Sequence, residues 1–333
     1  MGRLKDIWRS TFVLNIRAGI ANFRNHWDPL YKVKNLESAH RALVENLYYE
    51  IEDQSLWYPP ILSLEQTLRK IIDERMSICR FGDGEFEIVA GKDMSFQRYD
   101  PRMQDRLKEI LQNPLENCLC CIPNIYGSLA CYTPDNQWFW RGVALRSRRK
   151  VLPLISSTYK GRDPQSWFGD PQISRAYLPF LDKSIALRVF DLWKELFLGK
   201  DILIVEGRFS RLGIGNDLLA GAKSIRRIWC PPTNAFEHYD AILAAIRRHA
   251  KKEDLVLLAL GGTATILAYD LAKEGYWAVD AGHVDIEYMW MKMGVTEKTP
   301  ISGRYVNECV KNGREMIKVS GEETVNHVVE IVE

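Results

Sequence analysis

Four segments of this sequence carry side chains whose types and spacing suit metal or phosphate chemistry. The first, Arg80-Phe81-Gly82-Asp83-Gly84-Glu85, closes a short apolar run. Asp83 and Glu85 are two positions apart, so both carboxylates point to the same side of an extended chain. Paired carboxylates beside Gly82 suit a hard divalent cation, Mn²⁺ or Mg²⁺, which commonly binds substrate phosphates too. Arg80 offers a fork of donors for a diphosphate. The alternative is an ordinary Asp-Gly turn with solvated carboxylates.

Two further segments, residues 206–217 and 261–265, are glycine-rich. Each follows an apolar run and precedes a predicted helix, which for the first segment is Leu218–Ala222. Backbone N–H groups at a helix start can hold phosphate, and Arg208 or Arg211 would add positive charge. The candidate phosphate-binding residues are Ser210, Arg211, Gly213, Gly215, Asn216, Gly261 and Thr263. The alternatives are simple turns in which Asn216, Asp217 or Thr263 caps a helix.

The fourth segment, Ala281-Gly282-His283-Val284-Asp285-Ile286-Glu287, concentrates titratable groups. On a strand His283, Asp285 and Glu287 share a face, whereas on a helix only His283 and Glu287 do. Either arrangement places a general base or a metal ligand after a predicted strand. The alternative is a histidine at a helix cap beside solvated acids.

The elements that must position these segments alternate between strand and helix patterns. Strands are predicted at Ser77–Phe81, Leu119–Pro123, Val151–Ile155, Ile202–Val205, Ile225–Cys230, Leu255–Leu260 and Tyr276–Val279. Helices are predicted at Leu64–Glu74, Arg102–Leu111, Ser184–Leu198, Ala235–Arg248 and Ala264–Lys273. This alternation predicts an α/β fold with a mostly parallel sheet and helices on both faces. Such sheets bind ligands at the carboxyl ends of their strands.

Composition excludes several classes of protein. The chain has 333 residues, of which 46% are hydrophobic and 26% charged, with a formal net charge of +2. This apolar fraction excludes a disordered chain, and the small net charge argues against a nucleic-acid partner. Charges interrupt the apolar residues near the N-terminus, which is atypical of a secretory signal and predicts a cytoplasmic protein.

Residues 1–60 are predicted to form a helical extension to a domain at 61–333. Leu4, Trp8, Phe12, Ile16, Ile20, Phe23 and Trp27 recur at helical spacing among mostly basic residues. A second helix is predicted from Leu36 to Ile51. The basic amphipathic segment, residues 1–35, has two possible placements: on an anionic membrane surface, at its inner face, or docked on protein, including a second copy in a homodimer.

Several long motifs together resemble the GT-D type of bacterial glycosyltransferase. They are RFGDGEFEIVAGKDMSFQRYD from Arg80, ILIVEGRFSRLGIGNDLLAGAKSIRRI from Ile202, CPPTNAFEHYDAI from Cys230 and LALGGTATILAYDLAKEGYWAVDAGHVDIEYMW from Ala259. They cover most of residues 62–293. The resemblance implies a Rossmann-like fold, a nucleotide-diphosphate-sugar donor and a divalent metal held through Asp83 and Glu85.

The resemblance also sets expectations for the reaction. The donor is expected to be a UDP-sugar, and the acceptor a glycan, a glycoprotein or a lipid-linked glycan. If transfer inverts the anomeric centre, an acceptor hydroxyl needs a base, for which His283, Asp285 and Glu287 are the candidates. Met289 and Gly262 depart from the usual family residues. Two alternatives remain: a metal-dependent nucleotide-sugar phosphohydrolase and a non-enzymatic nucleotide-binding subunit.

Overall fold

A computed structural model describes residues 36–41, 43, 57–94, 97–161, 168–304, 306, 309 and 327–333. The chain divides into two units, residues 1–53 and residues 54–333. In the first unit, residues 36–41 and 43 are helical, which confirms part of the predicted second helix. The predicted basic amphipathic segment lies outside the described residues. In the described part of the chain, no helix is both long enough and apolar enough to cross a membrane.

Eight described strands form one sheet in which every pairing is parallel. They are β1 (Ser77–Arg80), β2 (Cys118–Cys121), β3 (Phe168–Gly169), β4 (Asp201–Gly207), β5 (Ser224–Cys230), β6 (Leu255–Ala259), β7 (Trp277–Asp280) and β8 (Val328–Ile331). The order across the sheet is β3-β2-β1-β7-β6-β4-β5-β8. The predicted α/β class with a mostly parallel sheet is confirmed. Because all eight strands run the same way, their carboxyl ends meet at one edge.

Nine α-helices lie in the described part of the second unit. They are α1 (Leu64–Asp73), α2 (Asp83–Val89), α3 (Pro101–Gln112), α4 (Pro134–Ser147), α5 (Leu152–Tyr159), α6 (Ser184–Phe197), α7 (Tyr239–His249), α8 (Gly262–Lys273) and α9 (Val284–Met293). The strand predicted at Val151–Ile155 is wrong, because this segment belongs to α5. Its buried residues Leu152, Ile155 and Tyr159 recur at helical spacing, which a five-residue apolar run does not reveal.

The centre of the sheet is buried on both faces, which explains why its strands read as continuous apolar runs. All four residues of β2 and of β7 are buried. Helix α8 packs against β1 and β7, and its residues from Gly262 to Tyr269 are all buried. Central strands and α8 therefore form a rigid base beneath the edge where the carboxyl ends lie.

A buried ion pair fixes the loop that leaves this edge after β4. Glu206 on β4 is fully buried and lies 2.5 Å from the Nη1 atom of Arg227 on β5. Glu206 Oε2 accepts a hydrogen bond from the Leu212 backbone N–H at 2.8 Å, while Arg227 Nη2 donates to the Leu212 carbonyl at 2.7 Å. Burial raises the pKa of Glu206 against the lowering effect of Arg227. The pair thus binds both backbone groups of one loop residue.

We expect Arg227→Met to lower the free energy of unfolding by about 3–5 kcal/mol, because it leaves the Glu206 carboxylate buried without its partner. Urea denaturation at pH 7 measures this. The control is Arg188→Met, which breaks an exposed pair with Glu65 (2.7 Å) and should cost less than about 1 kcal/mol. Equal losses of unfolding free energy in the two variants would contradict a stabilising role for the buried Glu206–Arg227 pair.

Candidate active site

A cleft of about 960 Å³ opens at the edge of the sheet where the carboxyl ends of the strands meet. Segments that follow seven of the eight strands, β1 to β7, contribute to its lining. Such an edge is where parallel α/β sheets bind ligands. Of the residues predicted from the sequence, the cleft is lined by Arg80, Gly82, Asp83, Glu85, Ser210, Gly261, His283, Asp285 and Glu287. These nine predicted residues therefore lie together in one cleft, and their roles stay predictions.

Both residues of the predicted acidic pair line the cleft, but their backbone is helical and not extended. The predicted placement of both carboxylates on one side of the chain is therefore wrong, because residues two apart on a helix do not share a face. Asp83 and Glu85 belong to the first turn of α2, and Gly82 is the N-cap residue. Glu85 Oε2 accepts a hydrogen bond from the Gly82 backbone N–H at 2.7 Å, which caps the helix. Asp83 is exposed and Glu85 is 8% exposed. The Gly-x-x-Glu spacing was the sequence signal for this helix start.

Burial gives Glu85 an unusual protonation equilibrium. Loss of hydration, helped by the nearby carboxylates of Asp280 and Asp83, raises its pKa to about 7 against the lowering effect of backbone N–H groups. The first residue of α8 lies close by, since a Cβ atom placed on Gly262 would sit 3.2 Å from Glu85 Oε1. Glu85 is therefore a buried acid at the start of two helices.

Arg80 is engaged with the protein itself. Its Nε atom donates to the Asp280 carbonyl and its Nη2 atom to Asp280 Oδ1, both at 2.8 Å. Its Nη1 atom donates to Ser174 Oγ at 2.8 Å and to the Pro171 carbonyl at 3.3 Å. A Cβ atom on Gly282 would lie 1.9 Å from Arg80 Nη2, so glycine is required there. These bonds assign Arg80 to holding β1 and β7 together; its contact with a diphosphate stays a prediction.

His283 is the N-cap residue of α9 and is partly exposed at the cleft. Its Nδ1 atom lies 3.1 Å from Nη2 of Arg175. Because a guanidinium only donates, Nδ1 accepts, and the neutral ring carries its proton on Nε2. Arg175 follows a 3₁₀ turn, Pro171–Ser174, and was not predicted. The structure therefore joins the start of α9 to the segment after β3.

Asp285 and Glu287, the other predicted base candidates, hold backbone and side-chain groups of the protein. Asp285 Oδ1 accepts hydrogen bonds from the Gly213 backbone N–H (2.9 Å) and from Asn216 Nδ2 (2.7 Å), and Asp285 forms an ion pair with Arg304. Glu287 Oε2 accepts hydrogen bonds from the backbone N–H groups of residues 177 (3.1 Å) and 178 (2.9 Å). Both carboxylates are about 97–99% buried. They therefore position neighbouring segments.

The glycine loop after β4 differs from its prediction. Residues 218–221, where a helix was predicted, form a turn, so no helix start is present there to hold phosphate. Gly213 has a φ of +75°, and a Cβ atom on it would lie 2.3 Å from Leu219. Arg211 donates from Nη1 to the Gly303 carbonyl at 3.2 Å. In the described part of the chain, Ser210 lines the cleft, whereas Arg211, Gly213, Gly215 and Asn216 do not.

The loop after β6 does lead into a helix. Gly261 lines the cleft with a φ of +55° and is the N-cap residue of α8. The first backbone N–H groups of a helix have no partner within the helix, and an anion can accept from them. Thr263, predicted as the cap, is buried inside the first turn, and among described residues its Oγ1 atom has no hydrogen-bond partner. Of the two residues predicted here to bind phosphate, Gly261 lines the cleft and Thr263 does not.

Sequence reasoning missed one whole wall of the cleft. Helix α4 and the segment before it contribute Thr133, Asp135, Asn136, Phe139 and Trp140. The segment after β3 contributes Gln172, Arg175 and Lys183. A readable signal existed for α4, because Thr133-Pro134 is typical of an N-cap followed by proline in the first turn.

Within the described ranges, no group of three or more His, Cys, Asp or Glu side chains is arranged to hold a metal ion. A cation at the acidic pair would thus take its remaining ligands from water or substrate. This is the usual behaviour of Mg²⁺ at phosphate-binding sites.

Comparison with known proteins identifies the family. The model of the family described as "Glycosyltransferase GT-D fold" matches residues 78–309 of this chain, well over half its length. The chain belongs to the GT-D glycosyltransferase family. A solved GT-D domain, "The highly conserved domain of unknown function 1792 has a distinct glycosyltransferase fold", is 33% identical, with a TM-score of 0.73 over 87% of this chain and 100% of that one. The predicted family and fold class are confirmed.

Two streptococcal relatives of this GT-D domain carry names of the same activity. The "Probable glycosyl transferase Gly" of Streptococcus gordonii is 35% identical over 90% of this chain, which spans 46% of that protein. The "Glycosyltransferase GlyD" of Streptococcus pneumoniae serotype 4 is 32% identical over 91% of this chain, which spans 36% of that protein. The chain thus spans less than half the length of both relatives.

The pKa of Glu85 predicts a pH-dependent stability. Because the pKa of this carboxyl is raised from 4.5 to about 7 in the folded GT-D domain, the free energy of unfolding falls as the pH rises through that interval. Glu85→Gln should remove this loss, so its advantage over wild type should grow from pH 5 to pH 8 towards about 3 kcal/mol, at about 1.4 kcal/mol per pH unit. Urea denaturation across pH 5–8 measures it, without added metal.

The matched control is Glu87→Gln on the same helix. Partial burial raises the pKa of Glu87, but hydrogen bonds from Lys92 and Arg146 outweigh this and lower it. Its replacement should therefore give no advantage that grows with pH. A Glu85→Gln variant whose stability difference from wild type is constant between pH 5 and pH 8 would show that the Glu85 carboxyl is not desolvated as described.

Proposed function

We propose that this GT-D domain transfers a sugar from a nucleotide-diphosphate-sugar, a UDP-sugar in particular, to a hydroxyl group of a glycan or glycoconjugate. The observation that carries the proposal is the acidic pair of α2 in the same cleft as the start of α8. A diphosphate needs positive charge from a cation and N–H donors from the protein. Glu85, which would hold the cation, lies close to Gly262, whose backbone N–H is at the start of α8.

The residues present fit a divalent cation. Asp83 and Glu85 supply hard oxygen atoms, and the raised pKa of Glu85 marks a buried carboxylate without a compensating positive charge. We propose that these two side chains hold Mn²⁺ or Mg²⁺. When bound, such an ion supplies Lewis-acid stabilisation of the negative charge on the leaving nucleoside diphosphate.

The chain itself contributes orientation and donors. The backbone at Gly261 and Gly262 would bind the diphosphate, and the loops that end β4 and β5 line the cleft beside it, with Ser210 and residues 231–235. These segments follow β6, β4 and β5, which are adjacent in the sheet. We therefore propose that the nucleoside binds over this half of the sheet and the reacting sugar at the ends of β1 and β7.

The proton acceptor for an inverting reaction has one partly exposed candidate. Asp285 and Glu287 are buried and hold other segments, which supports positioning roles for both. His283 lines the cleft, and base catalysis by its Nε2 atom requires the tautomer protonated on Nδ1. That tautomer gives up the hydrogen bond from Arg175. Arg175 would thus set how readily His283 accepts a proton.

We expect Asp83→Asn and Glu85→Gln each to reduce Mn²⁺-dependent sugar transfer by about 100-fold or more, because each removes an anionic oxygen ligand. The measurement is release of UDP from a panel of UDP-sugars with a mixture of glycan acceptors, at several Mn²⁺ concentrations. Glu297→Gln is the matched control, since Glu297 is an exposed cleft carboxylate on another segment.

Thermal unfolding of each variant without metal separates lost chemistry from lost structure. Transfer at the wild-type rate by either acidic-pair variant would refute the metal assignment. UDP release that proceeds equally well without any acceptor would indicate hydrolysis of the donor as the reaction.

A further inference from the structure

The wall of the cleft formed by α4 and the segment after β3 exposes an aromatic side chain to the cleft. Phe139 on α4 lines the cleft and is 43% exposed, which is unusual for a phenylalanine side chain. The Trp140 ring lies beside it, with ring centroids 5.0 Å apart and planes at 72°. An exposed aromatic ring inside a cleft offers a flat apolar surface to a ligand.

Two buried polar atoms in the same wall have no partner among the described residues. They are Nε1 of Trp140, a donor, and Oε1 of Gln172, an acceptor. Their side chains belong to residues that are 5% and 3% exposed, and both residues line the cleft. A buried polar atom without a hydrogen bond is costly, so such atoms are informative where a ligand binds.

Together these features select a class of ligand. A pyranose ring has an apolar face of C–H groups and a rim of hydroxyl groups that both donate and accept. Such a molecule can cover the Phe139 ring, accept a hydrogen bond from Trp140 Nε1 and donate one to Gln172 Oε1. A lipid chain would cover the ring but leave both polar atoms unpaired. The wall is thus complementary to a saccharide.

The order of the strands places this wall opposite the proposed nucleotide half. Helix α4 follows β2 and Gln172 follows β3, on one side of β1 and β7, whereas β6, β4 and β5 lie on the other side. From β3 to β5 there are six steps of about 4.8 Å, or roughly 29 Å. A nucleotide-sugar donor over one half of the sheet and a sugar acceptor over the other half would meet at the acidic pair.

The protein also fixes this wall to the centre of the site. Glu287 binds the backbone N–H groups of residues 177 and 178, and the carbonyl of Pro179 accepts a hydrogen bond from the Thr133 N–H at 2.8 Å. Phe180 packs on Tyr132 with ring centroids 5.0 Å apart. A continuous set of contacts therefore runs from α9 to the start of α4.

We propose that the wall formed by α4 and Gln172 is the acceptor subsite and that it binds a saccharide unit stacked on Phe139. This inference rests on the proposed function for the identity of the ligand as an acceptor. Phe139 is then a binding residue that determines acceptor affinity without affecting the donor. Trp140 and Gln172 orient the sugar through its hydroxyl groups.

The test measures saccharide binding directly, with the full chain. Maltose, cellobiose, lactose and chitobiose are titrated in saturation-transfer NMR, and UDP binding with Mn²⁺ is measured by calorimetry. We expect at least one disaccharide to bind and Phe139→Ala to weaken it about tenfold or more, with UDP affinity unchanged. Leu187→Ala, which removes an exposed apolar side chain of α6 outside the cleft, should change neither.

Gln172→Met keeps the size of the side chain and guards against a purely structural explanation. Because the atom it removes is unpartnered, stability should stay equal or rise, while disaccharide binding should weaken about three- to tenfold. A wild-type protein that binds UDP but no disaccharide, or equal disaccharide binding by wild type and Phe139→Ala, would overturn the subsite. So would Phe139-dependent binding to phosphatidylglycerol vesicles. Phe139-dependent disaccharide binding without UDP binding would support the subsite and refute the proposed function.

Discussion

The buried ion pair between Arg80 and Asp280 is the interaction on which the site depends. It joins the carboxyl ends of β1 and β7, neighbours at the centre of the sheet, with side chains 15% and 3% exposed. Helix α2 begins three residues after Arg80, and His283 follows Asp280 by three. The same guanidinium binds Ser174 and the Pro171 carbonyl next to Gln172. One side chain thus sets the relative positions of the acidic pair, the start of α9 and the wall formed by α4 and Gln172.

Charge at this centre is arranged at a cost to folding. Arg80 compensates Asp280, yet burial still raises the Asp280 pKa, and Glu85 close by has no cationic partner among the described residues. A buried, uncompensated carboxylate lowers stability at neutral pH, and sites of this kind persist where a ligand supplies the missing charge. The exposed carboxylate of Asp83 adds to the same negative potential. This arrangement favours a cation together with a phosphate over an anionic substrate alone.

Sequence reasoning was accurate for features encoded locally and failed for those set by distant contacts. Apolar runs such as Leu255–Leu260 predicted six strands, because buried parallel strands need little else. The two-residue strand β3 has no such run, and the segment at Leu218 became a turn. Asp285 looked like a base until the fold brought Gly213, 72 residues away, to its carboxylate. The wall at Phe139 was missed because no element was predicted between Pro123 and Val151, and only the fold brings α4 to the cleft.

The most direct measurement is anomalous diffraction from crystals of this protein soaked with Mn²⁺ and UDP. We predict a manganese peak within bonding distance of the carboxylates of Asp83 and Glu85 and of the diphosphate, with phosphate oxygens at the backbone N–H groups of Gly261 and Gly262. A nucleotide bound in the cleft with the manganese elsewhere, or a diphosphate held away from the start of α8, would contradict this prediction.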